Sequence, residues 1–449
     1  MKWPFIPQNW QLFGKYRFLS LFIGTFLVIL LISNPLLAFS PESLQAGQEI
    51  RGVWLTTNDT ETLLDRSKLK KAVSQLAGVN FNTLYPVVWN SGYALYQSKV
   101  AQAAGIQAFI HEGLQGQDPL AELISEAHTQ GLLVIPWFEF GFMAPPSSEL
   151  SLKHPQWLTK KRDGSKTWVG VAGEVVWLNP FHPEVQQFIT SLVLEVIDNY
   201  NVDGIQFDDH LSLPKEFGYD PYTISLYKQE TGKNPPANPQ DAAWVRWRAD
   251  QLTAFVARLN QAIKARKPKA IFSISPNPYI TAYNSYLQDW LAWVRQKLVD
   301  ELIVQVYRPN LSSFLQEITR PEIQEAKQKI PTGVGILTGL RNRQTPMGFI
   351  QNKVLAARHH SLGVSFFFYD SLWNYAPEPP QERQSRFREL FPAPASRSIR
   401  DNSPVSNSPV SNSPVSVEQP LPLTNDEPPA FMEQPLPLTN DETLTWDQW

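Results

Sequence analysis

The chain has 449 residues, 43% hydrophobic and 18% charged, which is ample apolar material for a large folded core and excludes disorder as a description of the whole. A formal net charge of −3 offers no concentrated positive field for phosphate backbones, so nucleic acid is excluded as an expected partner. With no cysteine, the chain has no disulfide, thiolate zinc site, cysteine nucleophile or lipidated N-terminal cysteine.

At the N-terminus, Lys2, Lys15 and Arg17 precede an apolar run, 18–32, that is followed by Ser33, Asn34, Pro35 and the small residue Ala38. Residues 1–38 therefore read as a signal peptide or membrane anchor. The run is shorter than the roughly 20 residues that comfortably cross a bilayer as a helix, yet counting on to Phe39 also fits an uncleaved anchor in contact with the membrane. Basic residues flank it on one side only, so the rest of the chain is expected outside the cytoplasm, periplasmic or secreted.

From residue 49 to 392, short β-rich runs alternate with longer helical patterns, as parallel strands joined by helical crossovers do. The predicted strands are 50–56, 83–88, 132–138, 204–208, 271–275, 302–306, 332–337 and 364–369. Ser67 is placed to cap a helix over 68–76, and Asp118 with Pro119 to start one over 120–130. Further helices fit 183–200, 239–266, 286–297 and 346–361, where the apolar spacing is helical. Eight strands in about 345 residues predict a (β/α)8 TIM barrel rather than an open doubly wound sheet. No strand runs into a Gly-rich phosphate loop, and no cofactor is expected.

Residues 153–180 elaborate the loop between the third strand and third helix, with Trp157, Trp168 and Trp177 around Asp163-Gly164, a hairpin-turn signal. Trp177 is expected to be packing and the others to be candidate sugar platforms. Residues 393–449 repeat Asn-Ser-Pro-Val-Ser three times and Glu-Gln-Pro-Leu-Pro-Leu-Thr-Asn-Asp-Glu twice, which reads as a disordered Pro/Ser/Asn-rich tail.

Active sites of such barrels lie at the C-terminal ends of the strands. Here those ends carry Thr56, Thr57 and Asn58; Trp89 and Asn90; Trp137 and Glu139; Asp208, Asp209 and His210; Pro276 and Asn277; Tyr307 and Arg308; Thr338; Tyr369 and Asp370. Carboxylates, amides and aromatic rings suit a polysaccharide, which offers hydroxyls to hydrogen-bond and C–H faces to stack. Glycosidic cleavage needs two carboxyl groups across the scissile bond. Asp208 is the candidate nucleophile or anionic stabiliser. Glu139, in the apolar setting Pro136-Trp137-Phe138-Glu139-Phe140, is the candidate acid. Asp209 completes the candidate catalytic set; it points to the opposite side if the strand continues, to orient a neighbour or bind hydroxyls. The competing reading has Glu139 only hydrogen-bonding substrate or pairing with Arg51 or Arg308, and Glu216 and Asp370 compete for the acid role. Trp137, Trp89, His210, Asn277, Tyr307, Tyr369 and Asp370 are the expected substrate-binding residues. Asp203, at the other end of the strand, is expected to serve stability. No metal site is expected, since no His-x-x-x-His spacing occurs; His210 beside two aspartates keeps a metal-dependent polysaccharide deacetylase as an alternative.

Several motifs stand in a telling order. They are Ile50-Arg51-Gly52-Val53-Trp54-Leu55, Asp118-Pro119-Leu120 with His128 and Gly131, Pro136-Trp137-Phe138, Leu178-Asn179-Pro180 before His182-Pro183-Glu184-Val185, and Asp203-Gly204-Ile205-Gln206-Phe207-Asp208-Asp209 with Pro214. As a set they resemble the glycosyl hydrolase-like family ten domain over roughly residues 49–390. The resemblance implies a (β/α)8 barrel working outside the cytoplasm on peptidoglycan glycan strands, particularly strands stripped of peptides. Family members often carry His-Ala-Trp where this chain has Ile135-Pro136-Trp137, and His and Tyr where it has Gln206 and His210. Another exported polysaccharide and a non-catalytic sugar-binding barrel at the cell envelope therefore stay open.

Overall fold

Hydrogen bonding between parallel strands organises the chain in a computed structural model that describes residues 48–397, apart from 59, 109–115 and 171–172. The expected signal or anchor segment and the repeats beyond 397 lie outside the described residues. Strands Arg51–Leu55, Thr83–Pro86, Gly204–Asp208, Ile271–Ser275, Glu301–Gln305, Thr332–Leu337 and Gly363–Phe367 follow the expected order and pair in parallel with their neighbours. The third strand is interrupted: Leu133–Val134 pairs with Thr83–Pro86, and Trp137–Phe138 pairs with Gly204–Asp208. These two segments are the two ends of one nine-stranded sheet and are separated only by Ile135 and Pro136. Proline lacks the N–H that a continuous ladder needs. Ile135 N still donates to Leu84 O (2.9 Å) and Gln206 N to Pro136 O (2.8 Å), so the curled sheet closes through this broken strand. That is the TIM-type arrangement of eight strands expected from the alternating pattern.

The helices cover the outer face. Asp118 caps Pro119–Thr129 as expected, accepting from Ala121 N at 3.0 Å. Asp65, not Ser67, caps Arg66–Ala77; its carboxylate accepts from Lys68 N (2.9 Å), and Ser67 Oγ donates to it. Pro183–Asn199, Ala242–Arg266 and Met347–His359 match the other long helices with shifted ends. Of the helix expected over 286–297 only Trp290–Arg295 forms; a separate helix, Tyr279–Tyr286, precedes it and ends where Leu287 turns left-handed (φ 58°). Strand eight stops at Phe367, and Tyr369–Trp373 is helical, so Tyr369 leaves the sheet.

The elaboration after strand three is a small antiparallel sheet of Met143–Ala144, Gly173–Trp177 and Thr167–Gly170. Asp163-Gly164 makes the tight turn expected of it, Gly164 N donating to Lys161 O (3.0 Å) and Lys161 N to Ser165 O (2.8 Å) with Gly164 left-handed at φ 88°. Trp157 and Trp177 are both buried, the latter donating to Ser212 O (2.7 Å), and half-buried Trp168 stands edge-on to Trp177. The apolar elaboration thus braces the loop after strand four.

A polar chain runs through the barrel interior. Trp54 Nε1 donates to Gln206 Oε1 (2.6 Å), Gln206 Nε2 to Ser273 Oγ (2.9 Å), and Ser273 Oγ to Glu301 Oε1 (2.8 Å), which Tyr85 OH also contacts (2.8 Å). Glu301, read from sequence as the residue before strand six, lies inside that strand, where buried Arg397 neutralises it. Residues 393–396, expected in the tail, bond to the barrel: Ser396 O accepts from Glu49 N, and Ala393 O and Ala395 O accept from Arg51 and Asn82. At the same N-terminal side, Asp203 accepts from Val134 N (2.8 Å) and His128 Nε2 (2.9 Å), tying strand three to strand four.

Candidate active site

Register brings the two candidate carboxyls together. Phe138 pairs with Phe207, so the next residues, Glu139 and Asp208, emerge side by side at the strand ends. Both are buried. Asp208 Oδ1 accepts from His210 N (2.9 Å) and His210 Nδ1 (3.0 Å), and Oδ2 from Trp137 Nε1 (3.1 Å). Its carbonyl accepts from Gln288 Nε2 at 2.9 Å, a tether that holds the strand end in place. His210 Nδ1 also reaches the carbonyl of Glu139 at 2.7 Å and so links the two strand ends. Gly141, left-handed at φ 46°, permits this approach, because a Cβ there would run into the carbonyl of His210.

Glu139 makes neither of its competing ion pairs. Arg51 bonds Glu49 (2.7 Å) and Arg308 bonds Glu317 (2.8 Å), while the Glu139 carboxyl accepts from Asn58 Nδ2 (2.9 Å) and Asn90 Nδ2. Two amides replace a cation, so burial dominates: together with the negative charge of Asp208 it raises the Glu139 pKa to about 8, against the smaller opposing pull of His210 and the amides. Burial also raises Asp208, to about 6, with His210 holding it down. For His210 burial disfavours the cation, yet Asp208 and Asp209 outweigh it and shift the imidazole upward.

Asp209 departs from strand alternation because the strand ends at Asp208. Its carboxylate turns to the ends of strands five and six, where Oδ2 accepts from Asn277 Nδ2 (3.0 Å) and Oδ1 from Gln305 Nε2 (2.9 Å). Tyr307 is buried next to it; burial first, then the charges of Asp209 and Asp208, hold its hydroxyl well above the usual tyrosine range. One ligand-type atom each from Asp208, Asp209 and His210 lies within 4.8 Å of the others. All four carboxylate oxygens already accept hydrogen bonds, so a cation would share each with an existing donor.

The fold thus gathers Trp137, Glu139, Asp208, Asp209, His210, Asn277 and Tyr307. Trp89 does not join them as a platform: it is fully buried, donates to Gly141 O (3.2 Å) and meets Phe188 edge-on. Tyr369 and Asp370 face a separate cleft, the tyrosine hydroxyl donating to Gln75 Oε1 (2.8 Å) and the carboxylate accepting from Thr62 Oγ1. Glu216 is half-buried on a loop whose neighbouring carbonyls, Lys215 O and Phe217 O, are held by Arg248. Gln288 and Gln305 were missed. Gln305 ends a strand just as Asp208 does, and that was its available signal; Gln288 sits between two helices and had none.

A family model described as Glycosyl hydrolase-like 10 matches residues 49–357. The chain is 28% identical over 309 residues to Glycosyl hydrolase DigH of Escherichia coli strain K12, covering 59% of this chain and 67% of that protein. It is 26% identical over 320 residues to Glycosyl hydrolase YngK of Bacillus subtilis strain 168, covering 65% of this chain but only 59% of that relative. Among solved structures it is similar to the PgaB (BpsB) glycoside hydrolase domain of Bordetella bronchiseptica (TM-score 0.56, 13% identity, 77% of this chain and 99% of that one). It is also similar to alpha-L-fucosidase isoenzyme 2 of Paenibacillus thiaminolyticus (TM-score 0.55, 14% identity, 77% of this chain and 49% of that one). At these identities the structural likeness speaks for the fold alone.

Proposed function

The chain belongs to the Glycosyl hydrolase-like 10 family, and from that premise we propose that it is a glycosidase acting on an extracytoplasmic polysaccharide, peptidoglycan glycan strands being the favoured substrate. The observation that carries the reading is the separation of two neighbouring carboxyls, Glu139 raised to about 8 and Asp208 to about 6. Neighbouring titratable groups pushed apart in this way divide into acid and base roles. Near neutral pH, Glu139 keeps its proton and donates it to the glycosidic oxygen as the C–O bond breaks. Asp208, ionised, faces the positive charge that develops at the anomeric carbon, as nucleophile or as electrostatic stabiliser. Glu139, now a carboxylate, takes a proton from the water that completes hydrolysis. His210 keeps Asp208 anionic and oriented, and Asn277 and Gln305 fix Asp209 beside it.

Work outside the cytoplasm and membrane contact rest on residues 1–38; among the described residues no helix is long and apolar enough to cross a membrane. The test is to incubate the purified protein with peptidoglycan, peptide-stripped strands and N-acetylated oligosaccharides. New reducing ends that vanish in Asp208→Asn support the glycosidase. The grouping of Asp208, Asp209 and His210 favours one second reading, a metal-dependent deacetylase; acetate release abolished by a chelator would replace the first reading with it. Sugar binding without any product, unchanged in Asp208→Asn and Glu139→Gln, would mark a non-catalytic module.

A further inference from the structure

Strands one and eight are neighbours in the sheet, and their C-terminal ends open onto a second cleft of about 890 Å³. Its walls come from the loop after strand one, from helix Arg66–Ala77 and from helix Tyr369–Trp373. Asp370 lines it, half-buried and with no cationic side chain within ion-pair distance among the described residues. Both of its oxygens accept from the Thr62 hydroxyl, at 3.1 and 3.2 Å, and the Thr60 hydroxyl also acts on the carboxylate. A carboxylate accepts about four hydrogen bonds, and holding one partly out of water without a cation is costly. Burial accordingly pushes its pKa up, with the Thr60 and Thr62 hydroxyls pulling back. Donors from a ligand would meet that unfilled capacity. The wall is pre-set: Tyr369 OH is fixed on Gln75 (2.8 Å), and Lys68 is taken up by Glu61, while exposed Lys71 makes no ion pair among the described residues.

The cleft adjoins the catalytic centre through one loop. Thr57 lines it, and the next residue, Asn58, donates to Glu139. We propose that the cleft is a distal subsite that binds a further unit of the same glycan chain, Asp370 accepting from neighbouring sugar hydroxyls and Lys71 meeting an acidic substituent. Its volume lies in the range of roughly 300–1,000 Å³ common for ligand sites. The inference rests on the reading of the protein as a sugar-chain enzyme and adds to it a preference for chain length.

The test is calorimetric titration of the full chain carrying Glu139→Gln, which slows turnover, with chito-oligosaccharides of two and six units and with peptide-stripped glycan strands. Asp370→Asn, which keeps an acceptor for Thr62, and the surface change Lys71→Ala are added separately, each checked for an unchanged melting temperature. Asp370→Asn is expected to weaken binding of the six-unit chain or the strands about tenfold and leave the two-unit compound unaffected; Lys71→Ala is expected to weaken only the acidic strands. Equal effects on short and long chains, no effect on either, or no binding of any glycan would overturn the subsite. If no glycan is cut by the unmodified protein but the length-dependent loss appears, the catalytic reading fails and the subsite stands. If cutting persists without length dependence, only the subsite fails.

Discussion

Replacing Glu139 by Gln removes the titrating group while keeping its shape, and the structure sets what should follow. The carboxyl pKa rises from 4.5 in a free side chain to about 8 in the fold. The folded state therefore holds the proton more tightly than the unfolded chain. Stability associated with this group is fully present below pH 4.5 and is lost as pH rises through about 8. At about 1.4 kcal/mol per unit, the loss approaches about 5 kcal/mol above pH 8. Glutamine carries no such dependence, but its amide meets the donor of Asn58 or Asn90 and strands one of them, at a cost of about 1 kcal/mol at every pH. Glu139→Gln should thus be slightly less stable than the parent near pH 4.5 and more stable by about 3–4 kcal/mol at pH 8.5, a crossover read by urea melts at the two pH values. In parallel, kcat/KM on the cleaved glycan should fall about 10²–10⁴-fold. The parent profile should rise through about pH 6 as Asp208 ionises and decline through about pH 8 as Glu139 loses its proton, and the decline should be missing in the variant. A stability difference that stays constant from pH 4.5 to 8.5 would refute the buried, raised carboxyl; full activity would refute its role as the acid.

Three further outcomes are expected. Asp208→Asn should abolish hydrolysis and lower the pKa of His210, because the carboxylate is what holds the imidazole charged; NMR titration of the ring reads this, and an unmoved His210 would contradict the pairing. Asn58→Ala withdraws a hydrogen bond that favours the charged form of Glu139, so the alkaline decline should move to higher pH, and a shift to lower pH would count against the geometry. Arg397→Met leaves Glu301 buried and unpaired and should cost about 3–5 kcal/mol, most of which Glu301→Gln in the same chain should recover; additive losses in the double variant would show that the two do not act as a pair.

Periodicity and composition alone determined most of the fold. Apolar β-rich runs spaced by helical patterns specify alternating strands and helices, because each pattern buries one face only in its own geometry, and the strand ends so located carry Asp208, Glu139, His210 and Asn277. What needed the tertiary structure was everything decided by a partner distant in the chain. Pro136 breaks strand three, and closure depends on Leu84 and Gln206 bonding to either side of the break. Glu301 falls just outside the expected strand 302–306, but in the fold it opens that strand inside the barrel, where Arg397, from beyond the expected tail boundary, neutralises it. Trp89 reads as a sugar platform until its ring is seen fully buried against Phe188, and Asp370 reads as a member of the central site until it is found bonded to Thr62 in a cleft of its own. The acid role of Glu139 turns on the same distinction. An apolar neighbourhood in sequence suggests a raised pKa, but an arginine folded against it would have cancelled the effect; two amides, from strand ends one and two, stand there instead.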